Sequence, residues 1–292
     1  MSNYAHDKII NPLTVLNLLI LLFIYTSFCR ADDTSAVQKP FLLLDEMRFR
    51  NQPNMLEYGF ESIRVIYTGE LWPSKKAEKE PNLTFINQYI EKKLEYSNII
   101  CLDIEHWPMD IRYEKSIDIE KSIMKFISVL SKFKEQRPDA KLGIYATVPI
   151  RDYHTPVKEN DVELWENANQ RLTPIADNVD YIFPSLYTFY KNPEKWKKYA
   201  IANINEAKKY GKPVIPFIWP QYHNSNRLYK FNFIDYNYWL MQLETIYEHA
   251  DGVVIWSPAG AARSSWSNNA EWWKATLDFI NKYNLQRGLD HD

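Results

Sequence analysis

The stretch "CLDIEHWPMD", Cys101–Asp110, decides how the chain is read. Its apolar opening, continued back through "SNII", reads as a β-strand running out at Asp103, Glu105 and Trp107. Side chains alternate across a strand, so residues two apart share one face, roughly 6.6–7 Å apart. Asp103 and Glu105 are therefore expected to point the same way, with Trp107 near them. Two carboxylates at that spacing repel, and burying them is costly unless they are paired or one keeps a proton. Either cationic partners inside the fold offset that cost, or the pair is there for chemistry.

Similar β-rich runs recur on both sides of this one: "PFLLLDEMRF", "SIRVIYTGELW", "AKLGIYATVP", "VDYIFPSLYTF", "KPVIPFIWPQY" and "DGVVIWSP". Several are continuous apolar stretches, the pattern of parallel strands covered by helices. Helical periodicity fills the gaps. It is clearest over 118–136, where Ile119, Ile123, Phe126, Ile127, Leu130 and Phe133 share a face. Other helices are expected near 84–96, 160–176, 193–210, 233–249 and 268–283, and "YGKP" at 210–213 supplies a Gly–Pro stop. Seven strand–helix units without a linker predict an α/β fold, a single (β/α) TIM-like barrel over 32–292 that counts to seven strands. An open doubly wound sheet is the competing architecture. It is weakened by the lack of a G-x-G-x-x-G or P-loop pattern in a chain with only seven glycines.

The bulk numbers suit that reading. The chain has 292 residues, 46% hydrophobic content and a formal net charge of −2, enough for one large core. Near-neutral charge argues against a nucleic-acid partner. Ten Trp and twenty Tyr offer flat faces that suit sugar rings, although large cores also consume aromatics. The apolar run 13–29, preceded by Lys8 and followed by "RADD", reads as a signal peptide cut near Ala31. An uncleaved membrane anchor over 1–31 is the competing reading, and either one exports the body to the cell envelope or the medium. Cleavage would remove Cys29 and leave Cys101 as an inert core thiol. The six His show no paired ligand spacing, so no metal is expected. No G-x-S-x-G elbow and no cofactor fingerprint occur, so no cofactor is expected either.

Barrel enzymes work at the C-terminal ends of their strands. Those ends carry Asp103, Glu105 and Trp107, then Tyr145 followed by Tyr153, then Tyr187, then Trp219 and Tyr222, and finally Trp256. Cleaving a glycosidic bond needs an acid for the leaving oxygen, and usually a second carboxylate as nucleophile or base. A pair on one strand is too closely linked to flank a sugar from opposite faces. It suits the variant in which the substrate's own 2-acetamido oxygen attacks the anomeric carbon. Glu105 would then be the acid, its proton retained because of Asp103 and burial near Trp107. Asp103 would bind the acetamido N–H and offset the charge developing there. The plain alternative is structural pairing with Arg or Lys, and packing of each aromatic in the barrel mouth.

"CLDIEHWPM" resembles the third-strand signature of the hyaluronidase family of barrel glycosidases. In the same order, "IRVIYTGELWP" with "PNLTFINQYI", "YIFPSLY", "VIPFIWPQYH" and "GVVIWSP" are similar to that family's second, Pro-Ser-x-Tyr, sixth and closing strands. The resemblance implies Glu105 as proton donor and Asp103 as its acetamido-orienting partner. It implies Tyr187 against the reacting sugar and Trp256 at the floor of that subsite, with Tyr145 or Tyr153 as a second tyrosine. It also implies an endo-acting hydrolase of hyaluronan- or chondroitin-like polysaccharide. Two departures stand out. The family's animal disulfides are missing, and Asp45 and Glu46 replace an aromatic–Asn–Pro sequence, where an acid on the rim would discourage a polyanion. Arg48, Arg64, Lys75, Lys76, Arg112 and Arg151 lie near rim loops where they could bind uronates. Two further functions stay open: a non-catalytic carbohydrate-binding barrel, and a hydrolase of another glycan with Asp45 or Glu46 as nucleophile.

Overall fold

The computed structural model describes residues 39–76, 78–93, 97–260 and 264–286. The expected leader at 1–31 lies outside them. Among the described residues no helix is long and apolar enough to cross a membrane.

The strands are β1 (Leu42–Glu46), β2 (Glu61–Ser62), β3 (Arg64–Tyr67), β4 (Ile99–Asp103), β5 (Lys141–Ile144), β6 (Phe217–Ile218) and β7 (Gly252–Trp256). Every pairing between them is parallel. β2 and β3 belong to one run that changes partner at Ile63, β2 pairing with β1 and β3 with β4. β4 pairs with β5, and segment 182–188 continues the series through bridges from Phe183 to Tyr145 and from Ser185 to Phe217. β6 then pairs with β7, and β7 returns to β1 in register from Leu42↔Gly252 to Glu46↔Trp256. The pairings thus run in sequence order around a TIM-like α/β barrel, as the alternating runs predicted.

The fifth and sixth runs form bridges and one two-residue strand rather than full ladders. Pro184, Pro216 and Pro220 explain this, because proline has no N–H to donate. Their carbonyls still accept, from Phe217 N–H at 2.9 Å, Val254 N–H at 2.9 Å and Ile234 N–H at 3.0 Å. Helices Leu83–Lys93, Ser116–Gln136, Pro193–Lys208, Tyr236–His249 and Glu271–Lys282 fall where the periodicity placed them. The expected helix over 160–176 breaks into Val162–Gln170 and Thr173–Ala176, with Pro174 in the first turn of the second piece. Beyond Lys208, Gly211 takes a left-handed φ of 68°, which closes the helix as the Gly–Pro signal implied.

Period-two alternation sorts the strand residues into two cores. Leu43, Ile66, Ile100, Leu102, Leu142, Ile144 and Ile255 face the helices. Leu44, Val65, Cys101, Phe183, Ile215, Phe217 and Val254 pack inside the ring of strands. A Cβ on Gly143 would lie 2.3 Å from the Phe183 ring, so the missing side chain is what lets that phenyl cross the interior. Cys101 is fully buried there, and burial pushes its thiol well above the usual range. Such a thiol is no nucleophile.

Candidate active site

The same alternation, carried to the strand ends, aims Glu46, Tyr67, Asp103, Tyr145, Tyr187, Trp219 and Trp256 into the barrel mouth. All of these except Glu46 line one open cleft of about 360 Å³, together with Glu105, Arg151, His223 and Phe231. Tyr67 and Asp103 are register partners at the ends of β3 and β4, and the Thr68 hydroxyl donates to the Asp103 carbonyl at 2.9 Å.

The two carboxyls sit in different surroundings. Asp103 ends β4 half-buried, and among the described residues its carboxyl has no hydrogen-bond partner. Burial first, and the neighbouring Glu105 second, push its pKa up to about 7, while Arg151 pulls the other way. Glu105 lies just beyond the strand with 45% of its side chain exposed, and accepts a 2.7 Å ion pair from Arg151 Nη1. Burial thus holds Asp103 toward its protonated form. Trp107 does not cover the pair, because its indole packs edge-on against Phe126 at 4.8 Å and donates to the Glu78 carbonyl at 3.3 Å. Helix Ser116–Gln136 claims it as core.

The aromatic wall is tightly fixed. Tyr187 stacks on Trp256 at 5.5 Å and 30°, and meets Trp219 edge-on at 5.8 Å. Trp256 Nε1–H donates to the Tyr67 hydroxyl at 2.9 Å, and that hydroxyl donates to Glu46 at 3.2 Å. Glu46 is in turn ion-paired with Arg48. Burial raises the pKa of Glu46, yet it acts here as the anchor that sets the plane of Trp256. Tyr145 donates to Ser185 Oγ at 2.9 Å.

Phe231 extends this wall beside Trp219, with ring centroids 5.8 Å apart, and was not foreseen. Its φ of 67° is left-handed, a conformation that costs a non-glycine residue about 1–2 kcal/mol. Gln221 holds it there, accepting from Trp219 Nε1 at 3.0 Å and donating to the Phe231 carbonyl at 2.5 Å. Replacing Gln221 by leucine should free both rings at once. Steady-state kinetics should then show KM raised about fivefold or more with kcat little changed; an unaltered KM would mean that neither ring contacts substrate.

His223 also lines the cleft. Its Nδ1 accepts from Ser225 N–H at 3.2 Å, which leaves the hydrogen on Nε2. Burial, aided by Arg151, lowers its pKa to about 4, so it is a neutral donor at physiological pH.

The structure thus brings together Asp103, Glu105, Tyr145, Tyr187, Trp219 and Trp256. It leaves Tyr153, stacked on Phe189 at 3.8 Å, and Tyr222, packed on Tyr229 at 5.5 Å, outside that cleft, while Trp107 lines an adjoining cavity that Glu105 also lines. Asp45 is held by Met47 N–H at 2.8 Å and Gln52 Nε2 at 2.9 Å, away from the cleft wall. Of the arginines suggested for uronates, Arg48 pairs with Glu46, Arg64 with Glu70, Arg112 with Asp110 and Asp152, and Arg151 with Glu105. Tyr67, at the end of a recognised strand run, was open to the same strand-end rule that found Asp103. His223 and Phe231 sit on a loop with no periodic signal.

No protein-family model matches this chain, and no curated protein matches it in sequence. Solved structures do resemble it. The monoclinic crystal structure of bee venom hyaluronidase aligns over 85% of this chain and 100% of its own, with a TM-score of 0.60 at 14% identity. Bee venom hyaluronidase in complex with a hyaluronic acid tetramer aligns over 84% and 96%, with a TM-score of 0.56 at 15% identity. The fold is that of a hyaluronidase-like barrel. At this identity the likeness speaks for the barrel and its strand order, while the cleft's chemistry rests on this chain's own residues.

Proposed function

We propose that the chain is an endo-acting glycoside hydrolase that cleaves N-acetylhexosamine-containing polysaccharide, of the hyaluronan, chondroitin or chitin kind, with retention through the substrate's own acetamido group. The observation that carries this reading is Asp103: a half-buried carboxyl without a protein partner, beside Glu105, at the floor of an aromatic cleft. An unsatisfied polar group of that kind is costly unless a ligand completes it. The bee protein crystallised with a hyaluronic acid tetramer shares the fold, which is consistent with a polysaccharide in this mouth.

In this reading the reacting sugar lies on Trp256 and Tyr187, and its acetamido N–H donates to Asp103. That hydrogen bond favours the carboxylate on Asp103, so the proton the pair shares passes to Glu105 as Arg151 releases it. Glu105 gives the proton to the leaving oxygen while the acetamido oxygen closes on the anomeric carbon. The resulting oxazolinium ring is opened by water, whose proton returns to Glu105. Asp45 as a nucleophile is disfavoured by its ties to Met47 and Gln52. Glu46 is disfavoured by its pairing with Arg48. A mere binding site would gain nothing from two repelling carboxylates. The apolar run 13–29 supports action outside the cytoplasm.

Reducing ends released from hyaluronan, chondroitin and chitin oligomers test the reading, and no release from any of them would defeat it. A pH profile adds a second check. The working enzyme carries one proton on the pair, and in the free cleft that proton leaves Asp103 at about pH 7. The value of kcat/KM should therefore fall about tenfold per pH unit above that point. A profile flat to pH 9 would contradict the assignment.

A further inference from the structure

We infer that the polymer cut here is uncharged, or cationic, along the sugars that flank the scissile bond; the inference rests on the glycosidase reading above and narrows it. A second cavity of about 370 Å³ adjoins the first, and both are lined by Glu105, Tyr145 and Arg151. A glycan lying through both has sugars on either side of Glu105. The second cavity adds Asp110 and Glu114 to its wall, and Tyr113, 78% exposed, at its edge. One face of the Tyr113 ring is covered by Arg112 at 5.3 Å. The other face is free to stack on a sugar.

The charges on these walls are one-sided. Burial holds Asp103 toward its protonated form and Arg112 offsets Asp110, so Glu105 and Glu114 face the groove against the one guanidinium that lines it among the described residues, Arg151. That guanidinium is already bonded to Glu105 at 2.7 Å, and Arg112 behind the wall is spent between Asp110 at 2.6 Å and Asp152 at 2.7 Å. Among the described residues, no arginine at this groove is without an acid. A substrate carboxylate that took Arg151 would have to displace Glu105, and one in the second cavity would face Glu114. Each such encounter, at about 8 Å in a half-wet groove, weakens binding about two- to tenfold. Polymers with one uronate per disaccharide meet it repeatedly, whereas neutral N-acetylhexosamine chains do not.

The test is binding of an N-acetylglucosamine tetramer and of a hyaluronan tetrasaccharide to the full chain. Tryptophan fluorescence after rapid mixing in the cold reads it ahead of turnover. At low salt the uncharged tetramer should bind about tenfold tighter, with the gap closing at high salt as repulsion is screened. Glu114→Lys should narrow the gap several-fold. Hyaluronan binding as tightly or tighter, with affinity rising as salt falls, would overturn the inference, as would binding of neither. Tight uncharged binding without any released reducing ends would leave the charge inference standing and defeat the glycosidase reading. Faster release from hyaluronan than from chitin oligomers would do the reverse.

Discussion

Glu105→Gln should lower turnover about 10³- to 10⁴-fold while leaving glycan affinity within a few-fold of the parent, the range expected when a positioned general acid is removed. Glutamine keeps the shape and can still accept from Arg151, whose pairing with Glu105 at 2.7 Å holds the side chain in the cleft. It has no proton to give to a leaving oxygen. The loss should therefore be almost wholly in kcat, and substrates with a more acidic leaving group should suffer less. A variant with near-normal turnover would remove Glu105 from the chemistry, and one that had lost affinity as well would show a structural role instead.

Asp103→Asn should separate activity from stability. Activity should drop about 10²- to 10³-fold, because the amide cannot offset the positive charge that develops on the acetamido group. Stability should move the opposite way. Asp103 has its pKa raised from 3.8 to about 7 in the folded chain, so the fold holds this proton more tightly than the unfolded chain does. The associated stability is fully present below about pH 4 and is lost as the pH rises through 7. At pH 8 the ionised carboxylate in its half-buried site costs about 2 kcal/mol, after discounting for remaining contact with water. Asparagine avoids that cost, so its Tm should exceed the parent's by about 4–8 °C at pH 8. At pH 3.5 the two melting points should nearly coincide. Equal melting points at both pH values would mean that Asp103 is not strained in the resting fold.

The fold and the floor of the cleft were readable from sequence for a common reason. In a parallel barrel the ends of all strands open on one rim, so residues at run ends, spaced by two, converge whatever lies between them. Asp103, Tyr187 and Trp256 were found that way, and Tyr145 was separated from Tyr153 only by which ring lines the cleft. Aromatics just past the strands were ambiguous. Trp107 and Tyr222 carry the same local pattern as residues of the cleft, and only the helix or loop packed over them decides that they belong to the core. Ion pairing was hidden too. Arg151 is 46 residues from Glu105 in sequence, and nothing in either local stretch announces that they meet. Which carboxyl of the pair lies deeper was hidden for the same reason, since burial and cationic neighbours are long-range properties. Phe231 depends on a left-handed turn held by Gln221, which no periodicity encodes.

The most direct measurement uses two oligosaccharides that differ only at C2 of the reacting sugar, one bearing an acetamido group and the other a hydroxyl, each incubated with the full chain at about pH 6. With the substrate's own acetamido oxygen as nucleophile and Asp103 as its partner, only the first should release reducing ends. Comparable cleavage of the hydroxyl analogue would show that a protein side chain or water attacks instead, and would contradict the account of this cleft.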